Sequence, residues 1–268
     1  MPRISVINES SVVSDADIAL IVPALQAQWN NDLVASWQVE AATFDLLPTG
    51  ATPPPQTSWL VFLDDTDQAN KLAYHDLTND GSSIAKVFAK SLADHGQSLS
   101  VAASHEICEM AIDPKLSTSY QDPSGSWWAA EICDPVEADQ YKYSIGGVWV
   151  SDFVTPRWFD LPCDSPAFDK QGFVHRSFEI LAGGYAQQWD TAKGDWSQVN
   201  GFGLSPLKLL VPAAGSRRDR RRRKRSLWFR SQAIREKAPD HSIVIPSPAK
   251  AKHGASRNTP ARPAAGKP

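Results

Sequence analysis

The stretch Ser104-His105-Glu106-Ile107-Cys108-Glu109-Met110-Ala111-Ile112-Asp113-Pro114 decides how the chain is read. It predicts a helix over residues 98–113, stopped by Pro114 because the residue before a proline disfavours the helical region. At 100° per residue, His105, Glu109, Asp113 and Glu106 fall at about 0°, 40°, 80° and 100°, within one quarter of the circumference. The remaining positions, Val101, Ala103, Ile107, Cys108, Met110, Ala111 and Ile112, read as buried. An amphipathic helix with a solvated outer face would account for this pattern. A solvated face ordinarily mixes signs, however, whereas three acids and one His without Lys or Arg repel at i,i+3 and i,i+4. A divalent cation would relieve that repulsion.

The spacing also fits a reaction. Two ligands one helical turn apart, with a general base directly after the first, is an arrangement used by zinc peptidases. His105 and Glu109 are then the ligands, and Glu106 takes a proton from water and hands it to the leaving amine.

The helix resembles that of zincin-like bacterial and phage proteins with an HExxE motif ending in Asp-Pro. Further stretches are similar: Trp59-Leu60-Val61-Phe62-Leu63-Asp64, Ala73-Tyr74-His75-Asp76-Leu77, Glu131-Ile132-Cys133-Asp134-Pro135-Val136-Glu137 and Val150-Ser151-Asp152-Phe153-Val154-Thr155-Pro156. The resemblance covers residues 1–175. It implies an α+β fold: a zincin-like twisted mixed sheet with an active-site helix, and an edge strand that binds substrate peptide in extended form. Ala73-Tyr74-His75-Asp76-Leu77 stands at the place in the order for that strand. By analogy with zincins that take a third ligand from a downstream Glu, Glu131 is the first choice, Asp134 the second and Asp113 the third. An ordinary acidic loop, or a calcium site built from oxygen ligands, is the rival reading of Glu131 and Asp134. Glu109 replaces the second His of the usual motif; with a carboxylate there, Zn2+ is expected but other divalent ions are admitted.

His75 and Tyr74 on the edge strand, or Tyr141 and Tyr143, are candidate donors to an oxyanion. Cys108 and Cys133 are further metal-ligand candidates, although a lone Cys on an apolar helix face more often reads as a small buried hydrophobe. Trp127-Trp128 reads as core packing or as the wall of a substrate pocket.

Outward from these motifs, Ile4–Ile7, residues 37–46, residues 59–63 and residues 72–77 predict strands, and Asp15 is expected to cap a helix carrying Ile18, Ile21, Val22, Leu25 and Trp29. Asn79-Asp80-Gly81 marks a turn. Residues 119–204 read as a loop-rich C-terminal subdomain with short strands at 141–145 and 148–153. Residues 1–204 are expected to form the metal-binding domain, and residues 205–268 a disordered basic tail rich in Pro, Ala and Arg.

Composition divides at the same place. The first 204 residues carry a net charge of −17 and the remainder +14, giving −3 overall. The run from Arg217 to Arg225 is nearly all basic and predicts weak binding to a polyanion or nucleic acid, with no sequence-specific readout. No stretch approaches the ~20 apolar residues of a membrane helix. The N-terminus lacks the apolar region of a Sec signal and the cysteines number three, so a cytoplasmic location is expected, with virion association or non-classical export as alternatives. A non-catalytic zincin-fold module is the rival to the peptidase.

Overall fold

A computed structural model describes residues 1–68, 71–191 and 194–202. The expected basic tail, with its run at 217–225, lies outside the described residues.

The chain opens with β1 (Arg3–Asn8), followed by α1 (Asp15–Ala27). The cap of α1 is Ser14 rather than the expected Asp15. Its hydroxyl accepts from the Asp17 N–H while the Asp17 carboxylate accepts from the Ser14 N–H, a reciprocal capping box. The helix runs on through a π-helical turn (Gln28–Leu33) into α2 (Val34–Trp37), which ends where Gln38 adopts a left-handed φ of 55°. The strand expected over 37–46 therefore begins only at Thr43, because its first residues are spent ending the helix. Next come β2 (Thr43–Leu46), β3 (Ser58–Leu63), β4 (Ala73–Leu77) and β5 (Ser83–Phe88), then α3 (Ala89–Asp94) and α4 (Leu99–Ile112).

Among the described residues, the first sheet has the order β2-β1-β3-β5-β4. Its first four strands are parallel, and β4 joins the edge antiparallel to β5. The fold is thus α+β with a mixed five-stranded sheet, and the expected edge strand is an edge strand. One face carries Ile4, Val6, Leu60, Phe62, Ala85 and Val87 into the main core with Ile18 and Leu25 of α1 and Ala103, Ile107 and Met110 of α4. The opposite face holds a smaller cluster of Ile7, Val61 and Ile84.

The region expected to be loop-rich is more regular than its sequence suggests. The strands β6 (Ser119–Gln121), β7 (Trp127–Ala129), β10 (Tyr185–Asp190) and β11 (Asp195–Asn200) form an antiparallel sheet in the order β11-β10-β7-β6. Between them, β8 (Tyr143–Ile145) and β9 (Val148–Val150) make a hairpin. Gly146 and Gly147 sit at its turn with φ of 59° and 86°, the positive values a two-residue primed turn requires. Trp128 packs edge-on against Trp158 and near Phe178, and its indole N–H donates to Asp122; it is core. Its neighbour Trp127 is exposed at the rim.

Candidate metal centre

Helix α4 begins where the Ser98 hydroxyl accepts the Val101 N–H, and ends at Asp113. Asp113 is fully buried, and its Oδ1 accepts the backbone N–H groups of Ser117 and Thr118 at 2.8 Å each. Those bonds turn the chain out of the helix, so this carboxylate serves the backbone.

The polar quarter of α4 does not face solvent. His105 is 9% exposed, Glu106 4% and Glu109 0%. Removing carboxylates from water costs several kcal/mol each unless charge or hydrogen bonds offset it. What faces them is supplied by two other elements.

The first is β4. Residues directly opposite on antiparallel strands share a face, and His75 pairs with Ala85, whose side chain lies in the main core. His75 therefore points under the sheet toward α4, and Tyr74 points away, where its hydroxyl donates to Asp67 beside Lys86. The His75 Nδ1 lies 3.4 Å from Glu106 Oε2 and 3.7 Å from Glu109 Oε2, and its Nε2 lies 3.9 Å from Glu131 Oε2.

The second element is the segment running into the 3-10 turn Asp134–Val136. Its backbone is tied to α4 by the Cys133 N–H, which donates to Glu109 Oε1 at 3.3 Å, and to the strand-like segment beyond β9 by the Val154 N–H donating to Ile132. The His105 Nε2 lies 3.2 Å from Asp134 Oδ1 and 3.3 Å from Glu109 Oε1. Gly184, at the start of β10, passes so close that an added Cβ would stand 2.3 Å from the Pro135 carbonyl oxygen and 2.9 Å from that of Asp134. Only a glycine lets the chain cross behind the turn that presents Asp134.

Burial would depress the His105 imidazolium. The nearby Glu109 charge, its hydrogen bonds to Asp134 and Glu109, and the charge of Glu106 outweigh this and hold its pKa well above the ordinary value. The field at this ring is thus strongly attractive to a cation, whether a proton or a metal ion.

Among the described residues, two groups of ligand atoms lie mutually within 4.8 Å: His75, Glu109 and Glu131, and His105, Glu109 and Asp134. This set of imidazole and carboxylate donors could hold a metal ion. His105, Glu109 and Asp134 thus come together, while Glu131 meets Glu109 on the side of His75. His75, considered from sequence only as an oxyanion donor, stands among the potential ligands. The signal available for it was its place on the strand expected at the sheet edge.

Tyr143 is engaged elsewhere. Its hydroxyl donates to Asp32 Oδ2 at 2.7 Å and accepts from Gln28, and burial together with nearby negative charge pushes its pKa up. The ring of Tyr141 packs against Phe173.

The chain matches no protein-family model, no curated protein and no solved structure. No helix among the described residues is long and apolar enough to cross a membrane.

Proposed function

We propose that the chain is a zincin-like metallopeptidase that hydrolyses a peptide bound in extended form along β4. The observation that carries this reading is the position of the His105-Glu106-x-x-Glu109 helix beneath an antiparallel edge strand, with an acidic turn closing the other side. His105, Glu109 and Asp134 would hold the ion on one side of the cluster, with Glu131 available from the other. When bound, a divalent ion supplies Lewis-acid chemistry, acidifying water and polarising a carbonyl. Glu106 acts as the general base and returns the proton to the leaving amine. Its carboxylate is held by His75, 3.4 Å away, which steadies its orientation. Among the described residues β4 is the edge strand of its sheet, the place where an extended peptide would add as a further strand.

Burial favours a second reading. Glu106, Glu109, Glu131 and Asp134 all have little exposed surface, which suits a non-catalytic zincin-fold binding or virion-associated module with a structural or calcium-type cation.

Metal-loaded protein incubated with a peptide library distinguishes the two. The enzyme reading expects cleavage that falls by about 10²–10⁴-fold in Glu106→Gln while metal content is unchanged. Cleavage that survives the substitution removes Glu106 as the base. Fully loaded wild-type protein that cleaves nothing supports the binding module.

A further inference from the structure

Glu109 is fully buried, and its two oxygens face different partners. Oε1 lies 3.3 Å from His105 Nε2 and takes the Cys133 N–H, whereas Oε2 lies 3.7 Å from His75 Nδ1. Each oxygen therefore belongs to a different imidazole. The two groups of ligand atoms share Glu109 and otherwise use separate residues, one His and one further carboxylate apiece. Each group draws on α4 and on the 131–134 segment, and His75 adds β4 to one of them.

We propose that the pocket is a dinuclear centre: two divalent transition ions bridged by the Glu109 carboxylate, one held by His75 and Glu131 and the other by His105 and Asp134. This rests on the reading that the cluster binds metal, and deepens it.

Charge is the first argument. Glu106, Glu109, Glu131 and Asp134 place four carboxylates around two imidazoles in one buried region. Two divalent ions bring more positive charge to this set of donors than one does. Geometry is the second. A single ion takes three or four protein ligands. Placed with His105 and Asp134 it leaves His75 and Glu131 outside its shell, although they are as deeply buried. Bridging carboxylates that give one oxygen to each ion are also how two-metal hydrolytic sites hold ions about 3.5–4 Å apart.

The test uses the full chain, stripped with chelator, loaded with Mn2+ and freed of excess by buffer exchange. Wild-type protein is expected to retain two ions, with an electron paramagnetic resonance spectrum showing exchange coupling between adjacent Mn2+ ions. His75→Ala and His105→Ala are each expected to retain one ion and to lose the coupling. One uncoupled ion in the wild type overturns the dinuclear proposal and leaves the metal centre standing. Two uncoupled ions overturn it as well, since the second then lies elsewhere. No retained ion removes both the proposal and the reading beneath it. Because the wild-type spectrum decides the matter, the test survives a variant that fails to fold.

Discussion

Two of the regions in which the molecule buries carboxylates treat them differently. Between α4 and β4, Glu106, Glu109, Glu131 and Asp134 answer mainly to the rings of His75 and His105, with contacts of 3.2–3.9 Å spread over three elements. Around the loop after β9, Asp152 and Asp169 answer to backbone and to each other. Asp152 Oδ1 accepts the Phe153 N–H, and the two oxygens of Asp169 accept those of Val174 and Phe173. The second region is self-contained: burial, and then the charge and hydrogen bond of Asp169, push the Asp152 carboxyl up to about 9, so it keeps its proton at neutral pH. Asp113 at the end of α4 belongs to the same backbone-serving kind. Acids that fold the chain are satisfied by amides of nearby residues. Acids gathered from distant segments around imidazoles, with a carboxylate shared between two of them, form a group that could hold a cation.

This contrast can be broken most forcefully at Glu109. Glu109→Ala removes an oxygen from both ligand groups, and metal affinity is expected to fall by more than the 10–100-fold typical of losing a supporting partner, as read by equilibrium dialysis. Retained affinity would place the ion elsewhere. Gly184→Ala sharpens the same side from behind. Its Cβ meets the Pro135 and Asp134 carbonyls, so thermal unfolding should show about 1–3 kcal/mol of destabilisation together with weakened metal binding. Destabilisation without any change in binding would separate the Asp134 turn from the site.

The backbone-serving acids predict the opposite pattern. Asp113→Ala removes the acceptor of the Ser117 and Thr118 N–H groups and is expected to cost about 0.5–1.5 kcal/mol in denaturant unfolding, with metal content unchanged. Loss of metal there would erase the distinction. Asp152 gives a pH test. Its carboxyl titrates near 3.8 when exposed and at about 9 in the folded chain, so across that window the native state binds the extra proton. Its contribution is fully present below the lower value and is lost as pH rises through the upper one. Asp152→Asn, an amide of the same shape, should flatten that loss. At pH 8 it should raise the melting temperature by about 2–4 °C, the equivalent of roughly 1 kcal/mol. An unchanged pH profile would mean that Asp152 does not hold its proton in the folded chain.

The helix that carries the site was readable from sequence almost to its ends, because Ser98 and Pro114 are strong local signals and the cap at Asp113 lies between them. The edge position of β4 was implied by the resemblance to zincins, in which a strand at that place in the order lies at the sheet edge. Other parts were written in distant pairings. Strand β5 carries Lys86 in a short apolar run, and the lysine is met there by the Asp67 carboxylate 2.6 Å away and by the ring of Tyr74. Strand β10, Tyr-Ala-Gln-Gln-Trp-Asp, has little alternation of its own and is fixed by β11 and β7. The role of His75 depends on its register with Ala85, which sends the ring toward residues more than thirty positions along the chain. Likewise, whether Glu131 or Asp134 meets His105 turns on the bend of a 3-10 turn pinned by Gly184, and no spacing rule encodes that.

The central claim is that the acids of α4 are gathered for a metal ion. Metal analysis of the purified full chain, stripped and reloaded with Zn2+, tests it most directly, alongside thermal melts of both forms. At least one tightly held ion per chain is expected, with stabilisation of about 2.7 kcal/mol at 100 times the dissociation constant. A chain that retains no ion and melts identically with and without added Zn2+, Mn2+ or Ca2+ would contradict it.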